Sequence, residues 1–230
     1  MGPPPFRESR TALGDTARIA QVDPGPNRWK LPEDGPVDDS GIVVIGADLE
    51  PATLLNAYRS GLFPMPHHRR EIAWFSPDPR GIIPIGGLQV SRSLRRSVGR
   101  YSVRIDTDFR TIMQACGSQQ RSGSWINRRF VEAYARLHNL GWAHSIEIYE
   151  GADLVGGLYG VRINGFFAGE SMFHLQPDAS KVALVHLVDW LRDTDASLLD
   201  IQWTTPHLES LGAIAVPRNE YLVMLAEATQ

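Results

Sequence analysis

The chain has 230 residues, 43% of them hydrophobic and 21% charged, and a formal net charge of −3. That balance belongs to a folded globular chain with a substantial core, not to a disordered or fibrous one. No window approaches the roughly 18 apolar residues of a spanning helix, MGPPPFRESR lacks a secretory apolar run, and the single Cys116 excludes an internal disulfide and suits a reducing cytosol.

Residues 1–40 are rich in Pro, Gly and Asp and hold no sustained period, which reads as a loose or extended arm. Residues 42–45 form a short buried strand. A helix follows over 49–60, with Pro51 in its first turn and Gly61 beyond its end. Prolines at 64, 66, 77, 79 and 84 then argue against regular structure over 61–84 and for a connection or site-lining loop. Residues 88–90 read as a strand, and Ser91 caps a short helix through Val98. A strand over 101–105 and a helix over 107–116, ending at Gly117, come next. Asn127 caps a helix that runs to Leu140 and stops at Gly141.

Three strands follow, over 143–149, 154–163 and 166–172, the last two joined by Asn164-Gly165. Asn-Gly between apolar runs is a strong hairpin signal, so an antiparallel meander is predicted. The helix over 179–192 carries Leu184, Leu187, Val188 and Leu191 on one face, which packs on that sheet. A strand over 198–203, a short helix over 207–211 and a last helix from Pro217 complete the chain. This order gives an α+β fold with a mostly antiparallel central sheet flanked by helices.

Charge is unevenly spread. Nine arginines stand between Arg92 and Arg129 against Asp106 and Asp108, a segment near +7 in a chain whose remainder is near −10. Two readings are open: a polyanionic partner, or a solvated face of scattered arginines. Several chemistries lack their residues. There is no P-loop motif. Gly169-Glu170-Ser171-Met172-Phe173 puts a bulky ring where a nucleophile elbow needs its last glycine, so Ser171 is a poor nucleophile. The seven histidines form no H-x-x-x-H pair and there is no second cysteine, so a metal site has little support. Cys116 on an amphipathic helix reads as a buried, inert thiol.

What is left are polar groups at strand ends: Glu170, Asp200 and Gln202. Asp200 and Gln202 are two apart and share a face, with Leu199, Ile201 and Trp203 on the other. Either that face is wet or its polar groups have partners.

The segments WFSPDPRGIIP (74–84), SWINRRFVEAYARLHNLGWAHSIEIY (124–149), LVGGLYGV (154–161), FFAGESMF (166–173), ASKVAL (179–184), LLDIQ (198–202) and HLESLGA (207–213) occur in order. Together they resemble the bacterial leucyl/phenylalanyl-tRNA–protein transferases, over most of the chain from about Gly41 to Tyr221. The resemblance implies a small N-terminal domain over 1–78 and a GNAT-like acyltransferase domain over 79–230. It implies transfer of leucine or phenylalanine, less readily methionine, from aminoacyl-tRNA to proteins with N-terminal Arg or Lys. That marks them for degradation through a Clp adaptor in the cytoplasm, with no cofactor, metal or membrane involved. The coenzyme A signature of that superfamily is absent, since Phe167 closes the nearest candidate, 162–167.

By position, the resemblance implies an aminoacyl side-chain pocket of Leu158, Phe167, Leu184, Leu187, Leu191 and Leu199. Leu187 and Leu191 stand where some members carry phenylalanine, which implies a roomier pocket. Trp125 matches the adenosine-contacting tryptophan, and Met65 replaces a second one. Arg92, Arg95, Arg96 and Arg100 would follow the tRNA phosphates. Glu170, Asp200 and Gln202 would surround the reacting carbonyl, with Glu170 meeting a substrate in place of a protein partner. Two alternatives are an aminoacyltransferase acting on a non-protein amine and a non-catalytic RNA-binding module.

Overall fold

The computed structural model describes residues 20–32, 40–68, 70–118 and 125–230. The predicted arm over 1–40 therefore lies largely outside the described residues. Its described part, 20–32, has no regular structure but is docked: Val22 N–H donates to the Leu140 carbonyl at 2.9 Å, Trp142 Nε1 donates to the Val22 carbonyl at 2.8 Å, and Leu31 is buried.

The chain continues with β1 (Ile42–Ile45), α1 (Pro51–Arg59), β2 (Phe63–Pro66), β3 (Ile72–Phe75) and β4 (Arg80–Ile83). Here the expected irregular stretch is in fact three strands. Pro64 and Pro66 sit in β2, an edge strand of the small sheet β1-β3-β2, where a missing N–H can face away from the ladder. Pro77 and Pro79 fall between β3 and β4, and Pro84 follows β4, so none removes a central hydrogen bond.

Next come α2 (Arg92–Val98), β5 (Ser102–Ile105), α3 (Phe109–Ser118) and α4 (Arg128–Asn139). Both predicted caps are made: Ser91 Oγ accepts from Leu94 N–H, and Asn127 Oδ1 accepts from Arg129 and Phe130 N–H. The strand expected over 88–90 is not formed. That piece meets no sheet edge, and Gln89 N–H bonds the Leu211 carbonyl instead.

The meander is present as β6 (Ala143–Glu150), β7 (Asp153–Ile163) and β8 (Phe166–His174), with Asn164 at φ 51° in the tight turn. Then follow α5 (Ala179–Asp193), β9 (Leu198–Gln202), α6 (Pro206–Glu209), β10 (Ile214–Val216) and α7 (Arg218–Ala228). Strand β10 carries too few residues to show a period in the sequence.

The large sheet has the order β10-β4-β9-β8-β7-β6-β5, antiparallel except for the β8–β9 pair, which the α5 crossover makes parallel. Helix α5 covers one face with α2 beside it, while α3 and α4 cover the other. The α+β reading therefore holds. Residues from both sides of the expected 78/79 division share one core, in which Leu54, Tyr58, Phe63 and Trp74 join Phe130, Tyr134, Tyr159 and Tyr221.

Candidate active site

Two irregularities in the large sheet open a site. Between β7 and β8, Tyr159 pairs with Ser171 and Gly160 with Gly169, so Glu170 is an extra residue, the unpaired member of a bulge. Bulges bend a strand and re-aim a side chain. Gly160 makes room for this one, because a Cβ there would lie 2.2 Å from the Ala168 carbonyl oxygen. Between β8 and β9 the pairing ends at Ala168↔Asp200, although β8 runs on to His174 and β9 to Gln202.

The gap holds a cavity of about 140 Å³. Of the residues assigned to the side-chain pocket, Leu158, Leu184, Leu187 and Leu199 line it, together with Met172, Ile201 and Leu208. Phe167 and Leu191 do not reach it; both are wholly buried in the core around α5. The polar part of the wall is Tyr159, Glu170, Ser171 and Gln202.

Glu170 has protein partners, contrary to expectation. Tyr58 Oη donates to Oε1 at 2.7 Å and Tyr134 Oη to Oε2 at 3.2 Å, while Gln202 Nε2 stands 3.5 Å from Oε1. The two phenol oxygens are themselves 2.5 Å apart. Three oxygen–oxygen contacts thus join two phenols and one carboxyl, and two phenolic protons serve only two of them. The acid form of Glu170 supplies the third, and the ionised form is one proton short of completing the set. The pKa of Glu170 agrees: burial, opposed by the Tyr58 hydrogen bond, pushes it up to about 7. Burial also lifts both phenols well above their usual range, so they stay donors.

Asp200 is wholly buried and saturated. Arg80 Nε donates to Oδ1 at 2.9 Å and Arg80 Nη2 to Oδ2 at 2.6 Å. Gln202 N–H also donates to Oδ1, and Tyr221 Oη to Oδ2, both at 2.9 Å. Burial opposes the charge of Arg80, but the facing Asp200 carboxylate raises its pKa above the ordinary guanidinium value. Gln202 has φ 62°, and Trp203 N–H donates to the Ile201 carbonyl at 2.8 Å, a γ-turn centred on Gln202. Strand β9 therefore ends one residue earlier than predicted. The simple alternation fails there: Trp203 leaves the Leu199 face and packs on Phe63 and Phe75, while staying 40% exposed.

The leucyl/phenylalanyl-tRNA protein transferase family model matches residues 82–226, and the model of that family's N-terminal domain matches residues 47–78. The chain belongs to the leucyl/phenylalanyl-tRNA–protein transferase family. The transferase of that name from Anaeromyxobacter dehalogenans (strain 2CP-C) is 44% identical over 210 residues, 89% of this chain and 90% of the relative. That from Thiobacillus denitrificans is 46% identical over 195 residues, 83% and 86%. Among solved structures, a GCN5-related N-acetyltransferase from Kribbella flavida has a TM-score of 0.41 at 9% identity, covering 69% of this chain and 58% of that one.

The other positions that the leucyl/phenylalanyl-tRNA–protein transferase resemblance singled out are not part of the cavity wall. Trp125 is partly buried and packs edge-on against Phe130 at 5.4 Å, and Phe130 stacks on Tyr134. Met65 is partly buried in β2. Arg92, Arg95, Arg96 and Arg100 are all exposed, but Arg100 is paired with Glu150 at 2.5 Å and so differs from the others. Burial pushes the Cys116 thiol up to about 12.

Tyr58, Tyr134, Arg80 and Tyr221 were not legible as site residues. The tyrosines sit on helix faces that read as core. A signal did exist for Arg80: it is a lone cation in an apolar strand, as Asp200 is a lone anion in another, and two such groups need each other.

Proposed function

We propose that this protein transfers leucine or phenylalanine, and less readily methionine, from aminoacyl-tRNA to the N-terminal Arg or Lys of acceptor proteins in the cytosol, marking them for Clp-adaptor degradation. The observation that carries the reading is the cavity itself: a mostly apolar pocket with a neutral-pH carboxyl in its wall. Its volume of about 140 Å³ suits an isobutyl or benzyl side chain, since an engineered apolar cavity of about 150 Å³ takes up benzene.

The ester is already activated, so holding amine and carbonyl in attack geometry supplies much of the acceleration. The acceptor α-amine, with a reference pKa of roughly 7.7–8.0, attacks the carbonyl carbon. A C–N bond forms, the ester C–O bond breaks, the amine's proton passes to the ionised form of Glu170, and the leaving 3′-oxygen of the tRNA recovers it. A carboxyl with pKa about 7 is matched to that relay. Gln202 orients the amine, and Asp200 holds Gln202 in place. Trp125 stacks on the terminal adenosine, with Met65 beside it, a contact worth about 1–3 kcal/mol per base. Arg92, Arg95 and Arg96 carry most of the phosphate contact, and Arg100 less, because Glu150 neutralises it.

The test is transfer of radiolabelled leucine and phenylalanine from their tRNAs to peptides beginning with Arg, Lys or Ala. Transfer to the first two and not to the third is expected. Tight tRNA binding with no transfer to any peptide contradicts the reading and favours an RNA-binding module.

A further inference from the structure

Gln202 is followed by Trp203, one of two exposed tryptophans among the described residues. Its ring is 40% exposed and makes T-shaped contacts with Phe63 at 4.9 Å and Phe75 at 5.8 Å. Phe63 and Phe75 are cross-strand partners on one face of the β2–β3 hairpin, and Met65 and Ala73 are the next pair along that face. Beyond them the hairpin turn is tied to the start of α4, where Arg129 Nη1 donates to the Arg70 carbonyl at 2.5 Å. Trp125 stands just before α4, and Trp203 sits at the opposite end of the hairpin. Strand β2 alone sets those ends about 10 Å apart at the usual rise per residue.

We propose that the indole of Trp203 receives the charged side chain of the acceptor's N-terminal Arg or Lys, which makes Trp203 a specificity-determining residue for the acceptor. The inference rests on the transferase reading, in which Gln202 orients the acceptor amine and Trp125 marks the donor's adenosine. Consecutive Cα atoms are about 3.8 Å apart, so a long side chain on a residue whose amine meets Gln202 spans to the Trp203 ring. Neither carboxylate at the centre is open to that side chain. Asp200 already accepts four hydrogen bonds, two of them from Arg80, and Glu170 accepts from Tyr58 and Tyr134. An indole face is the other group that binds a cation, and tryptophan is the best of the aromatic side chains at it. It also fits the selectivity: a carboxylate fork favours guanidinium over ammonium, whereas an indole takes either and offers a small neutral side chain nothing comparable. The cation already present, Arg80, lies 4.8 Å from the Phe63 ring, and Asp200 at 2.6 Å matches its charge, so it adds little repulsion.

The experiment titrates peptides beginning with Arg, Lys or citrulline, the neutral counterpart of Arg, into protein saturated with the stable donor amide phenylalanyl-amino-deoxyadenosine, and reads binding by calorimetry. Wild type is expected to favour the Arg and Lys peptides. Trp203→Leu should weaken those two about fivefold and leave the citrulline peptide unchanged, and Trp203→Phe, which keeps a smaller ring, should fall between. Equal weakening of all three peptides makes Trp203 a plain apolar surface, and no weakening of any makes it idle; both outcomes overturn the proposal. Affinity for the donor amide itself should be the same in wild type and both variants. A loss there places the indole under the adenosine and also overturns it. Because peptide binding is read without turnover, failure of this proposal is separable from failure of the transferase reading, which the transfer assay decides.

Discussion

A carboxyl whose pKa stands at about 7 in the folded chain and near 4.5 in the unfolded one makes stability fall with rising pH. Below pH 4.5 Glu170 is protonated in both states and contributes no difference. Between 4.5 and 7 the unfolded chain releases its proton while the folded chain keeps it, so folding loses free energy throughout that window. Above 7 both are ionised and the loss is complete, at about 3 kcal/mol for a shift of this size. In Glu170→Gln this component is absent. Urea titrations of both proteins across pH 4 to 8 should therefore show a difference that changes by about that amount; a flat difference means the site does not hold the proton. Glu170 was visible in the sequence as a misplaced charge. Its partners were not, since Tyr58 and Tyr134 come from α1 and α4, and each looks like one more aromatic on a buried helix face.

At the scale of elements, the site is made where β8 and β9 cease to be regular. The meander, the crossover helix and the caps were readable because they depend on periods and local hydrogen bonds. The bulge at Glu170 and the turn at Gln202 depend on partners far along the chain, and period alone predicts a straight strand. The end of β9 is pinned by Asp200, which bonds Gln202 N–H behind it and Arg80 on the neighbouring β4. That makes Asp200 a positioning residue, and its removal strands a buried guanidinium. Asp200→Ala should lower unfolding free energy by about 3–5 kcal/mol, the range for breaking a buried pair. It should also reduce transfer, because Gln202 loses the contact that holds its left-handed turn. Circular-dichroism melts alongside the transfer assay check this; lost transfer at unchanged stability returns Asp200 to a direct chemical role.

Across the whole molecule, the division at residues 78 and 79 has to be weighed against the core. Leu54, Leu55, Tyr58, Phe63 and Trp74 are each no more than 3% exposed, and they belong to the same cluster as residues of α3, α4, β7 and α7. Polar links follow the same path: Arg80 Nη1 donates to the Gly61 carbonyl at 3.0 Å, and Arg136 Nη2 to the Leu49 carbonyl at 3.2 Å. Burying five such side chains contributes on the order of 10 kcal/mol, comparable to the whole net stability of an ordinary domain. The family resemblance implies two units at this division, and sequence does not report which of their apolar faces meet. Residues 79–230 expressed alone should then be unable to fold cooperatively, with the apolar faces of α4 and α7 uncovered and Glu170 deprived of Tyr58. The full chain should melt in a single calorimetric transition with equal calorimetric and van't Hoff enthalpies. Two resolved transitions, or a soluble 79–230 fragment with a sharp melt of its own, contradict the shared core. The functional consequence is direct, since the carboxyl that carries the proton is held by one phenol from each side of the division.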